Sequence, residues 1–126
     1  MSDGVAALPM YDWPEARDGN DRLWAAVRDR LRARGIPAPE GLSRDLPLMA
    51  GWTHPRLVLG QTCGLPLVRE LAGRVAVVGG EDRRLPGCAP GWYRSAVVVR
   101  ADDPRGGLDD FRGAVLAVNG FDSQSG

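Results

Sequence analysis

The stretch VAALPMYDWPEARDGNDRLWAAVRDRLRARGIP, residues 5–37, sets how the rest of the chain is read. Residues 5–10 form a short apolar run, readable as a buried strand. It leads directly into Tyr11-Asp12-Trp13-Pro14-Glu15. Asp12 with Glu15 three residues on has the spacing of a capping box, and Pro14 suits a helical first turn. Leu23, Trp24, Val27 and Leu31 then recur at helical spacing, with Arg22, Arg28, Asp29 and Arg32 on the opposite face. Gly35 and Pro37 close the helix. A strand followed by an amphipathic helix is the opening of an α/β fold.

Working outward, residues 36–44 read as a loop and residues 46–52 as a short helix starting near Asp45-Leu46-Pro47. Residues 57–59 are a second apolar strand, opening into Gln61-Thr62-Cys63-Gly64. Pro66 starts a short helix through Leu71 that Gly73 ends. Residues 75–78, 96–99 and 115–118 are three further apolar runs, each expected as a strand. A Gly/Pro-rich loop covers residues 79–91, residues 102–107 break the chain, and residues 108–112 make about one helical turn. Short uninterrupted apolar strands between helices predict an α/β class with a largely parallel sheet and helices on both faces. The last strand would leave an unpaired edge, which invites a homodimer.

Composition narrows the function classes. The 126 residues suit a single domain, and 44% hydrophobic with 25% charged residues is ordinary for a globular protein. Sixteen basic residues, all arginine, balance sixteen acidic ones. That balance argues against a nucleic-acid partner, which calls for a basic excess or stripe. No apolar run approaches the roughly 20 residues of a membrane span, and the first ten residues lack the pattern of a signal peptide. Two cysteines, Cys63 and Cys88, and one histidine, His54, are too few for structural zinc, so neither metal nor cofactor is expected. A Cys63–Cys88 disulfide would close a loop of about 25 residues and add about 3 kcal/mol. Two reduced, packed thiols are the equal alternative.

Ligands of open α/β sheets gather beyond the carboxyl ends of the strands. Tyr11-Asp12 follows the first strand and Gln61-Thr62-Cys63-Gly64 the second, while Ser123-Gln124-Ser125-Gly126 lies beyond the last. Small and hydroxyl-bearing residues let backbone N–H groups reach a ligand, and a helix starting at Ser123 would favour an anion. Trp92-Tyr93-Arg94 is a further aromatic and basic cluster, although solvated arginine is common. No paired carboxylates suggest acid/base catalysis: Asp102 and Asp103 read as a turn, Asp109 and Asp110 as a helix start.

Leu8-Pro9-Met10-Tyr11-Asp12, Gln61-Thr62-Cys63-Gly64-Leu65-Pro66, Tyr93-Arg94-Ser95 and Ser123-Gln124-Ser125-Gly126, in this order, resemble the PhnD-like phosphate/phosphonate solute-binding proteins of ABC transporters. The resemblance implies a type II periplasmic-binding-protein fold of two α/β lobes that close on a ligand. Residues 1–100 would form the first lobe, 101–107 the crossover, and 108–126 the start of an incomplete second lobe. Tyr11, Gln61, Thr62 and Tyr93 would face the cleft, and Ser123, Gln124, Ser125 and Gly126 would hold the oxyanion. It further implies a non-enzymatic receptor for a small phosphate- or phosphonate-like anion. The partner would be a transporter permease and the location periplasmic, with a cytoplasmic one the alternative for a chain lacking a signal peptide. Two other functions fit the residues. One is an enzyme of the same fold group, either a cofactor-precursor synthase or one using the Cys63 thiol. The other is a regulatory or interaction domain with a vestigial pocket.

Overall fold

A computed structural model describes residues 4–118, 120 and 121. The chain divides into two compact units, Met1–Val75 and Ala76–Gly126. The division falls inside the segment expected as the first lobe.

In the first unit, β1 (Val5–Ala7) pairs in parallel with β2 (Leu57–Gly60). The register matches Val5 with Leu57, Ala6 with Leu59 and Ala7 with Gly60, with an irregularity between Val5 and Ala6. The strand ends early because Pro9 has no N–H for a ladder. Two 3-10 turns, Pro9–Tyr11 and Pro14–Ala16, carry the chain into α1 (Arg17–Arg32). Two shorter helices follow, α2 (Leu48–Trp52) and α3 (Gly64–Arg69).

The capping box expected at Asp12 and Glu15 does not form. Helix α1 starts at Arg17 without a side-chain cap, and the N–H groups of Ala16 and Arg17 both donate to the Trp13 carbonyl. Asp12 is taken by a stronger competitor, the guanidinium of Arg44. A charge-assisted fork outranks a single local cap bond.

The core is centred on Ala6, Trp24 and Ala38, with Val27, Leu31, Leu42, Val58 and Leu59 packed around it. Trp24 is 1% exposed, and its indole N–H donates to the Pro39 carbonyl at 3.2 Å. Residues 36–44 are therefore an anchored loop. Arg32 donates twice to the Ala38 carbonyl, at 2.6 and 3.1 Å, and Arg28 donates to the Glu40 carbonyl at 2.8 Å. The Ser43 N–H donates to the Ala6 carbonyl at 2.7 Å, which lays the loop beside β1.

The second unit contains a 3-10 helix, Leu108–Phe111, where the helical turn was expected. Asp110 accepts from the N–H groups of Gly106 and Gly107, and Arg105 lies over the Phe111 ring at 3.9 Å. Residues 75–78, 96–99 and 115–118 are not strands, so the sheet among the described residues has two strands rather than five. Val98 is 85% exposed and Val115 fully exposed. A strand is made by a neighbour's N–H and C=O groups, and apolar character supplies neither. The mixed α/β class with parallel pairing holds. No helix among the described residues is long and apolar enough to cross a membrane.

Candidate functional site

Parallel pairing points the carboxyl ends of β1 and β2 the same way, and the segments leaving them meet. The Gln61 N–H donates to the Ala7 carbonyl at 3.0 Å, and the Gln61 side-chain oxygen accepts from the Met10 N–H at 3.2 Å. The Gln61 carbonyl in turn accepts from the Trp52 indole at 2.9 Å. Thr62 donates its hydroxyl to the Cys63 carbonyl at 3.3 Å, which leaves the hydroxyl oxygen able to accept. The Cys63 thiol lies 3.6 Å from the Met10 sulfur. Cys63 and Cys88 are both free thiols.

Tyr11, at this same end, is 41% exposed. Its ring meets Trp13 edge-on, with centroids 5.9 Å apart and planes at 74°. Tyr11, Gln61 and Thr62 are thus gathered at the carboxyl end of the sheet. Tyr93 belongs to the second unit and is exposed. Ser123, Gln124, Ser125 and Gly126 lie outside the described residues.

Sequence reasoning missed the ionic cluster beside this end. Arg44 donates to both oxygens of Asp12, through Nε at 2.7 Å and Nη2 at 3.2 Å, and to Asp21 at 2.9 Å. Asn20 donates to Asp12 at 2.9 Å and to the Tyr11 carbonyl at 3.4 Å. Arg17 stands 3.7 Å from Asp12. The Asp12 side chain is only 13% exposed. The Arg44 hydrogen bond holds its carboxyl below the usual carboxylate range against the opposing effect of burial. Asp12 and Asp21 conversely raise Arg44. The cluster ties the turn after β1 to helix α1 and to the anchored loop. The signal that could have revealed it is an acidic residue in the turn after a strand, but its partner is 32 residues away.

Arg44→Ala should therefore lower stability by about 2 kcal/mol, because it leaves a mostly buried carboxylate short of two charge-assisted donors. The contribution carries a sign with pH. The Asp12 carboxyl is depressed on folding, so its stabilisation is present above the ordinary value of 3.8 and fades as pH falls through the lower folded value. Denaturation midpoints taken from neutral pH downward should converge for the parent chain and Arg44→Ala below that window. A gap that persists in acid would exclude the ion pair as the cause.

Asp12, Arg17 and Arg44 also border a cleft of about 220 Å³, whose other lining includes Ser43, Leu48 and Trp52. Among the described residues no group of three or more His, Cys, Asp or Glu side chains could hold a metal ion. Comparison of the chain with protein families, with curated proteins and with solved structures gives no match.

Proposed function

We propose that this chain supplies the N-terminal part of a periplasmic solute-binding protein. Its ligand would be a phosphate- or phosphonate-like small anion, passed to an ABC-transporter permease. The observation that carries the reading is the gathering of Tyr11, Gln61 and Thr62 beyond the carboxyl ends of two parallel strands. That is where open α/β sheets bind ligands. The order of motifs along the chain supports the same family of receptors. In this reading the phenol of Tyr11 and the hydroxyl of Thr62 donate to ligand oxygens, and Thr62 exchanges its Cys63 carbonyl for the ligand.

Calorimetry on the full-length protein tests this. Saturable binding of phosphate or an alkylphosphonate is expected. Tyr11→Phe and Thr62→Ala should each weaken it by about ten- to hundredfold, the value of one hydrogen bond to a charged group. No heat with any such anion would end the proposal. The enzymatic alternative needs a reactive Cys63, and slow alkylation of that thiol at neutral pH would count against it.

A further inference from the structure

The cleft beside the Asp12–Arg44 cluster has a lining of two kinds. Asp12, Arg17 and Arg44 are grouped by their ion pairs. Leu46, Leu48 and the Trp52 indole come from α2 and the residues leading into it, and supply apolar surface to the same cleft. Leu46 and Leu48 are exposed, 40% and 49%, while Trp52 is buried.

The charges in the lining are not equivalent. Arg44 commits Nε and Nη2 to Asp12 and Asp21, and both Asp12 oxygens are occupied. Arg17 differs. Its approach to Asp12, at 3.7 Å, is an ion pair too long for a hydrogen bond. Among the described residues its guanidinium donates no hydrogen bond, so its fork of donors is available. The Ser43 hydroxyl, also in the lining, is likewise uncommitted among the described residues.

We propose that this cleft is a second ligand site, for a small amphipathic monocarboxylate. The carboxylate lies on Arg17 and Ser43, and the apolar body lies against Leu46, Leu48 and Trp52. A planar carboxylate matches a guanidinium fork with two parallel hydrogen bonds. The negative charge of Asp12 beside Arg17 opposes any anion and a dianion more strongly, which ranks a monocarboxylate above phosphate-like dianions. The apolar lining disfavours acetate, which has almost no surface to bury. A volume of about 220 Å³ lies below the usual range of drug-sized pockets, so the ligand is short. Arg17 is 53% exposed, so solvent screening keeps the affinity in the millimolar range. The site contains none of Tyr11, Gln61 or Thr62, although the Trp52 indole that lines it donates to the Gln61 carbonyl.

The test is an amide-proton NMR titration of the full chain with hexanoate, following the Ser43 N–H and the Trp52 indole N–H. Hexanol and acetate serve as matched controls. Saturable shifts with hexanoate are expected, with each control at least about tenfold weaker. Arg17→Gln should weaken hexanoate by about tenfold, the loss of a hydrogen bond to a charged group, and Ser43→Ala by about threefold. The amide spectra of both variants report whether the fold is kept, and either variant alone suffices to decide. Three results would overturn the site: shifts that never saturate, hexanol binding as tightly as hexanoate, or undiminished binding by a folded variant.

Discussion

Replacing Trp24 with alanine should cost about 3–5 kcal/mol, the range for deleting a buried aromatic side chain. Whole domains of this size are stable by only about 5–15 kcal/mol, so the variant should lose most of its cooperative unfolding transition. Trp24 fills the space between β1, α1 and the loop at Ala38, and it is the largest fully buried side chain. Its loss also frees the Pro39 carbonyl and with it the loop that carries Arg44. Trp24→Phe separates the two effects. Phenylalanine keeps most of the packing and removes the indole donor, so the loss should shrink to about 1–2 kcal/mol. Val98→Ser is the control: at 85% exposure it should fall within about 0.5 kcal/mol of the parent. Urea denaturation followed by far-ultraviolet circular dichroism measures all three without relying on tryptophan emission. Equal midpoints for Trp24→Ala and Val98→Ser would mean that Trp24 is not the centre of the core.

That contrast also shows what the sequence could convey. Val5–Ala7 and residues 96–99 are equally apolar as text, yet one is buried and the other exposed. Periodicity located α1, because Trp24, Val27 and Leu31 share a face whatever the chain does elsewhere. The same pattern placed Leu23 on the buried side, where it is 48% exposed, since spacing fixes a stripe but not its width. The end of a strand is legible because a short apolar run and its polar exit are local, so the position of Gln61 and Thr62 just beyond β2 was readable. Arg44 was not. Local spacing offered Asp12 a capping role, and only the tertiary approach of the anchored loop brought the better partner.

Gly4→Ala should cost about 2–4 kcal/mol, combining backbone strain with overpacking. Gly4 has φ of +111°, a conformation that residues with a Cβ rarely adopt. A Cβ built there would lie 2.7 Å from the Val58 Cγ2 and 2.9 Å from the Arg56 carbonyl oxygen. That oxygen accepts the Val5 N–H at 2.9 Å, the bond that joins β1 to the entrance of β2. The methyl group would therefore push apart the two chains that the parallel pair must bring together. The two obstacles predict a graded rescue. Val58→Ala removes the side-chain clash, so Gly4→Ala should be less costly in that background than in the parent. The backbone oxygen and the φ angle remain, so the cost should not vanish. A double-mutant cycle by urea denaturation reads the difference. Full rescue would assign the penalty to Val58 alone. No rescue, with Gly4→Ala as stable as the parent, would show that the start of β1 yields to the methyl group and that the strand is not fixed at that point.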